Sequence, residues 1–369
     1  MTDLDALLIL NHLRVGPISA RRLLEYFGSP SEIFRSLFSE RQAPNIDFLS
    51  GDYVNRLLNW EKEVDLGKAW EILKREKIRV VTFYDSDYPE LLKQIYDHPL
   101  LFYMKGSFSP ADREALAIVG SRDATEYGRH IAYRWAARLA EAGIPIVSGM
   151  ALGIDTAAHE GALSVGGRTI ALLGYGFGYV YPKGNERLFD EIAEKGAVIT
   201  EYAWHRAIGK GSFPLRNRLI AGMARATLVV ESREKGGSLI TAHYAAEYNR
   251  TVYAVPGPVT APLSAGTNNL IREGATLVTS PEQMVDEFEL MFQTPPQDLS
   301  LEARQKDTEE KLEGLEKAIF SALLEPMTPD HISTLLDESI DKVSASLVSL
   351  EIKGYVIPLP GRKYFRSET

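Results

Sequence analysis

Seven short runs of aliphatic residues recur through the middle of the chain: LAIVG (116–120), IPIVS (144–148), RTIALLG (168–174), AVITE (197–201), ATLVVE (226–231), TVYAV (251–255) and TLVT (276–279). Runs of this length with no polar alternation fit strands buried on both faces. Between them lie longer segments whose apolar positions recur at helical spacing, such as TEYGRHIAYRWAARLAEAG (125–143) and GSLITAHYAAEYNR (237–250). Buried strands alternating with amphipathic helices predict an α/β fold, a doubly wound parallel sheet. Its ligand should sit beyond the carboxyl ends of the strands.

The flanks differ from this middle. Residues 1–75 carry helical patterns only. Within them LRVGPISARRLLEYFG (13–28) resembles a helix-hairpin-helix, whose turn can present backbone N–H groups to a phosphate. The plainer reading, a helical turn with Arg21 and Arg22 in water, is preferred because Gly-Pro turns are common punctuation. Residues 295–313 open with Pro295-Pro296, lack an apolar period and read as a linker. A weaker boundary falls near Phe108-Ser109-Pro110. After residue 314 come three helical patterns and then GYVIPLPGRKYFR (354–366), a ribbon with a Pro-Gly turn, which together describe a winged helix. Its third helix, DKVSASLVSLEIKG (341–354), is not basic, so a protein contact or dimer support suits it at least as well as DNA. The expected division is a small helical domain at 1–75, the sheet domain at 76–294, the linker, and a winged helix at 314–369.

Composition changes this picture little. The 369 residues are 45% hydrophobic and 25% charged, ordinary for a globular protein of two or three domains. The absence of cysteine excludes disulfides, iron–sulfur clusters and thiolate zinc sites. The opening MTDLDALLIL is acidic before a short apolar run, the reverse of a secretory signal, and no stretch is apolar enough to span a bilayer. A cytoplasmic location is expected.

Charge is more informative. The net charge of −9, from 41 Lys and Arg against 50 Asp and Glu, argues against a general nucleic-acid binder. Yet Arg206, Lys210, Arg216 and Arg218 fall within residues 205–218 with no acid among them. Two arginines in FPLRNR, just ahead of an apolar helical run, act against a helix start unless an anion lies there. Three strand ends lead into glycine turns: GSRDATEYG, with Gly120, Ser121 and Arg122; SGMALGIDTAAH, with Gly149 and Gly153; and REKGGSL, with Gly237 and Ser238. Small residues let the backbone approach a ligand, and each helix start offers N–H donors. Taken together beside the basic strip, these turns predict a phosphate-binding rim.

Other chemistry is less well supported. GYGFGYVYP (174–182) carries a GxGxG but enters Tyr-Val-Tyr-Pro instead of a helix, so a dinucleotide seat is missing, and no GxxxxGK[ST] occurs. Asp155 and His159 share a helix face and would suit an acid/base pair or a metal. A helix-start carboxylate and a packed ring are preferred, since no third ligand or nucleophile is near in sequence. Glu201 and Glu231, at strand ends, fit either acid chemistry or the fixing of loops and arginines. No catalytic residue, metal or cofactor is expected.

The stretches AIVGSRDATEYG, VSGMALGIDTAAHEGAL, YPKGNERLFDEI, FPLRNRLIAG, GSLITAHYAAEYNR, VPGPV and GTNNLIREGA run in order from 117 to 275 and resemble the DNA-processing protein A (DprA/Smf) family. Gly236, where a serine is usual, and Gly178, where an acid is common, depart from its pattern. The resemblance implies an extended Rossmann-like domain that dimerises and binds single-stranded DNA, protects incoming strands and helps load the RecA recombinase in natural transformation. It implies that Arg122, Lys210, Arg216 and Arg218 hold phosphates. Asn217 would bond a phosphate or base edge or fix its loop, and Phe213 would stack a base. The rival is a Rossmann-type nucleotide phosphoribohydrolase, which needs a PGGxGT turn followed by a catalytic glutamate. The nearest stretch here, KGGSLITA, has no acid at that distance.

Overall fold

The chain begins with five helices: α1 (Asp3–His12), α2 (Pro17–Phe27), α3 (Pro30–Ser39), α4 (Gly51–Leu58) and α5 (Leu66–Arg75). A capping box starts α1: Thr2 Oγ1 accepts the Asp5 N–H at 3.1 Å, and the Asp5 carboxylate accepts the Thr2 N–H at 2.9 Å. The five consecutive residues Ala6–Leu10 are all buried, unusual for a terminal helix. Ala6, Ile9 and Leu10 pack among the helices, while Leu7 and Leu8 pack on the sheet beside Tyr103, Leu173 and Val198. Because α1 is apolar on both faces, it joins the helical front to the sheet.

The sheet has nine strands: β1 (Arg79–Thr82), β2 (Leu101–Gly106), β3 (Leu116–Val119), β4 (Ile146–Ser148), β5 (Thr169–Leu173), β6 (Ala197–Thr200), β7 (Ala226–Val229), β8 (Thr251–Ala254) and β9 (Thr276–Leu277). All seven aliphatic runs are strands, and β3 to β7 are buried along their whole length. Their order is β1-β2-β6-β5-β4-β3-β7-β8-β9. Strands β3 to β9 are mutually parallel, whereas β1 and β2 add antiparallel at the β6 edge. From β3 the chain winds outward through β4, β5 and β6, crosses back, and winds the other way through β7, β8 and β9. The direction therefore reverses between the carboxyl ends of β3 and β7, where an open α/β sheet leaves a crevice.

The covering helices are α6 (Glu90–Lys93), α7 (Glu126–Glu141), α8 (Ile154–Ser164), α9 (Glu186–Lys195), α10 (Ser212–Gly222), α11 (Ser238–Glu247), α12 (Ala265–Arg272) and α13 (Glu282–Gln293). The boundary read near Phe108–Pro110 is not one. Ser109 caps a short 3-10 turn, Pro110–Glu114, that links β2 to β3 within the same sheet.

This computed structural model describes residues 1–39, 48–49, 51–209, 211–293, 312, 314–323, 327–336, 338–353, 355–359 and 363–366. They fall into two compact units, Met1–Glu289 and Leu290–Thr369. In the second, helices Gly314–Ala322, Pro329–Leu336 and Ile340–Ile352 are followed by the antiparallel pair β10 (Val356–Leu359) and β11 (Lys363–Arg366), a winged helix around Ile319, Phe320, Ile332, Val343 and Leu347. The expected linker lies mostly outside the described residues. No described helix is long and apolar enough to cross a membrane. Since each unit has its own core, a chain ending after Glu289 should keep a cooperative thermal transition by circular dichroism. Loss of that transition would show that the first unit depends on the tail.

Candidate nucleic-acid interface

A cleft of about 620 Å³ opens at the reversal point between β3 and β7. Its first wall is the turn after β3. There the Ser121 N–H donates to the Glu231 carbonyl at 2.8 Å, and the Ile154 N–H donates to the Ser121 carbonyl at 3.2 Å. Gly153 stands behind this turn with φ of 82°, and a Cβ on it would come within 2.3 Å of the Ser121 carbonyl oxygen. Only glycine both adopts that φ cheaply and lets α8 start so close. Gly120, Ser121 and the exposed Arg122 line the cleft, while Gly153 supports them from outside it.

The second wall is α10. It starts at Ser212, so Arg216 and Arg218 lie inside the helix instead of ahead of it, as the sequence pattern suggested. Two positions along a helix turn about 200°, so the two side chains leave on opposite sides. Arg216 points into the fold: Nη1 donates to the carbonyls of Gly149, at 2.6 Å, and Leu172. Gly149 has no side chain because the Arg216 guanidinium occupies that space, 2.6 Å from where its Cβ would be. Burial pushes the Arg216 pKa down while the nearby Asp155 charge pushes it back up. Arg216 is thus a positive floor to the cleft, only 3% exposed.

Arg218 faces away from the cleft. It is buried in a triad, bonded through Nη2 to Glu201 and through Nε to Asp97 at 3.2 Å. Its charge is already matched, so it does not complete a phosphate clamp with Arg216. Phe213 is half-buried against Tyr175 and Tyr181, with ring centroids 6.5 and 5.9 Å away. The Arg122 guanidinium lies over the ring at 4.8 Å, a cation–π contact.

The third wall is the turn into α11. Ser238 Oγ donates to Ser232 Oγ at 2.9 Å, and Asn217 Nδ2 donates to the Gly237 carbonyl at 3.1 Å. Of the roles open to Asn217, fixing a loop is the one its amide performs here. Helix α11 then begins with no side-chain cap and no acid in its first turn, an N-terminus left open to an anion.

Of the acids near the cleft, Asp123 is exposed on the turn after β3, whereas Glu231 and Asp155 are committed to structure. Glu231 accepts the backbone N–H of Thr125, at 2.8 Å, and its hydroxyl, anchoring the start of α7. Asp155, in the first turn of α8, accepts the Gly149 N–H at 3.1 Å; burial pushes its pKa up, opposed by Arg216. His159 is fully buried with Nδ1 2.7 Å from Thr169 Oγ1, and burial pushes its pKa down to about 3. The helix-start carboxylate and packed ring are what the fold contains. Among the described residues no group of three potential metal ligands occurs.

The cleft therefore gathers Gly120, Ser121, Arg122, Phe213, Arg216, Asn217, Gly237 and Ser238. It leaves Gly149 and Gly153 as backbone supports and Arg218 elsewhere, and Lys210 lies outside the described residues. It also gathers Arg233 and Tyr181, which sequence reasoning passed over. Arg233 had a signal, since it opens the same REKGGSL turn. Tyr181 had a weaker one: the GYGFGYVYP loop matched no binding pattern, though Tyr181 opens the YPKGNERLFDEI stretch of the family resemblance.

Fold and cleft define a Rossmann-like protein whose switch point is lined by arginine and an uncapped helix start, joined to a winged helix. The model of the DNA recombination-mediator protein A family matches residues 79–289, and that of the DprA winged helix domain matches residues 303–362. Protein Smf of Synechocystis is 32% identical over 95% of this chain and 96% of its own length. DNA processing protein DprA of Streptococcus pneumoniae is 42% identical over 58% of this chain and 76% of its own. The X-ray structure of the latter aligns with a TM-score of 0.67 and 34% identity, covering 78% of this chain and 98% of that one. DNA processing protein A of Helicobacter pylori, whose structural study concerns its single-stranded DNA binding mode, aligns with a TM-score of 0.52 and 29% identity, covering 57% and 95%. The chain belongs to the DprA/Smf family of DNA-processing proteins.

The buried charges generate two expected outcomes. Arg218→Ala strands two carboxylates and should cost on the order of 3 kcal/mol in urea unfolding, whereas Arg122→Ala, at the surface, should change stability by less than about 0.5 kcal/mol. His159 stays neutral when folded but protonates near 6.5 when unfolded. The unfolded chain therefore binds the extra proton, and stability from this group falls as pH drops below 6.5 by about 1.4 kcal/mol per unit. His159→Gln should show a shallower acid dependence than the parent.

Proposed function

We propose that the protein binds single-stranded DNA along the switch-point cleft. The observation that carries this reading is the pairing of exposed Arg122 and Arg233 around the uncapped, acid-free start of α11. Those groups suit phosphate oxygens, and the buried charge of Arg216 raises the potential beneath them. The planar Arg122 guanidinium over Phe213 offers a stacking surface that tolerates any base. The H. pylori relative and its single-stranded DNA binding mode support the choice of ligand.

Membership in the DprA/Smf family supports a finer role: protecting incoming strands, loading the RecA recombinase in natural transformation, and working as a homodimer through the Rossmann-like domain. The phosphoribohydrolase alternative needs a glutamate following its PGGxGT turn; here Glu231 and Asp155 are both engaged in structure, and the exposed acid of the cleft, Asp123, belongs to the turn after β3 instead of the KGGS turn. AMP incubated with pure protein should remain intact. Release of adenine that disappears in Glu231→Ala would replace our reading with that one.

The binding test is a titration with single- and double-stranded DNA across salt. The intact protein should prefer the single strand, and Arg122→Ala should weaken binding to every sequence while reducing the salt slope by about 0.7. Equal affinity for duplex and single strand would overturn the proposal. Phe213→Ala should lower both affinity and the thermal midpoint, because the ring packs on Tyr175 and also seats Arg122. Phe213→Leu restores apolar bulk without a π-face, so it should recover the midpoint and not the affinity.

A further inference from the structure

On the far side of α10 lies a second cleft, of about 540 Å³, between the α1–α2 turn and residues 201–209. All of its walls belong to the first unit. Its floor holds Arg218, 5% exposed, with Nε and Nη2 taken by Asp97 and Glu201. Among the described residues, Nη1 of Arg218 is buried without any acceptor, and so is Nε of Arg206 in the same cleft. Two buried guanidinium nitrogens without partners are uncommon in a folded protein and ask for an acceptor.

The rim and the apolar wall narrow the choice. Exposed Arg14 lies in the turn after α1, and α2 starts at Gly16-Pro17 with no side-chain cap and no acid in its first turn. Together with the half-buried Arg206, which lines the same cleft, these groups suit a phosphate. Ile18 and Leu215, 50% and 56% exposed, supply a flat apolar surface. The floor sets one free donor, Arg218 Nη1, beside two carboxylates. That is the complement of a nucleobase edge, which carries acceptors and donors side by side. A phosphate at the rim, a ring on the apolar wall and a base edge at the floor describe one nucleotide, within the size range of small-ligand sites.

We propose that this second cleft takes a nucleotide of the same single strand held at the switch point, making α10 a partition the strand crosses. The proposal rests on the switch-point cleft being the single-strand site. Phe213, Pro214 and Asn217 line one cleft, while Ser212, Leu215 and Arg218 line the other. A helix is about 10–12 Å across, so only a strand long enough to pass over it reaches both.

The test is affinity of the full chain for thymidine oligonucleotides of increasing length, with the monomer TMP as a separate probe. Parent affinity should rise in a step once the oligonucleotide spans both clefts. Arg14→Ala combined with Arg206→Ala should remove that step, lowering long-strand affinity at least about fivefold while leaving short strands unchanged. Leu215→Glu, an exposed position that needs no repacking, should do the same. Arg122→Ala should weaken short and long strands alike. If the length series shows no step, or the second-cleft variants act equally on short and long strands, the inference fails while the switch-point reading stands. If TMP alone occupies the cleft, with Arg14→Ala abolishing its binding and no length step, the site is one for free nucleotides and the strand-crossing proposal is overturned. If short strands do not bind even the parent, the first reading fails instead.

Discussion

The guanidinium of Arg216 is the constraint around which the switch point is arranged. A charge that cannot be discharged by losing a proton is held 97% out of solvent, where an unsolvated ion would be very unfavourable. Two carbonyls, one just past β4 and one in β5, supply its local oxygens, and Asp155 supplies opposing charge. Each of these partners imposes a sequence requirement. Gly149 must lack a side chain, Asp155 must open α8, and α10 must cross the strand ends at one height. The result is a fixed positive floor that does not depend on flexible lysines.

The same helix explains why two arginines two residues apart do different work. On α10 they face opposite ways, Arg216 beneath one cleft and Arg218 at the bottom of the other. Arg218 is matched by Asp97 and Glu201, which lie before β2 and just after β6. That triad ties α10 to the antiparallel edge of the sheet, and Asn11 of α1 donates to the Glu201 carbonyl at 2.8 Å. The helical front is thereby bound to the sheet through polar contacts as well as through the buried faces of α1. A basic strip that looks uniform along the chain is thus half-buried at Arg206 and interior at Arg216 and Arg218.

Much of the fold was legible because buried parallel strands announce themselves. Seven uninterrupted aliphatic runs gave seven strands, and the glycine turns marked three of the strand ends that meet at the reversal. The two antiparallel strands were not anticipated. RVVT at β1 is short and half exposed, and LFYMKG at β2 sits between Pro99 and the Phe108 region that resembled a boundary. The site was legible in its backbone elements and less so in its side chains. Spacing in a helix tells which residues share a face, but not which face meets the sheet, so Arg216 and Arg218 could not be separated without α10's start. Arg233 was passed over for a simpler reason, opening a motif, REKGGSL, that was read only for its glycines and serine.

A net charge of −9 has a consequence for how such a cleft would work. Phosphates approaching most of the surface meet like charge, screened beyond about 8–10 Å at physiological salt. Attraction is then confined to places where donors are concentrated, and the cleft at β3 and β7 combines exposed arginines, a buried guanidinium and an open helix start within that distance scale. A rigid duplex presents phosphates on a broad cylinder and would bring many of them against acidic surface at once. A single strand can bend its backbone into the cleft and keep the remainder clear. Selectivity for single strands can therefore arise from the acidic surroundings as much as from the arginines, with no sequence-reading contact required.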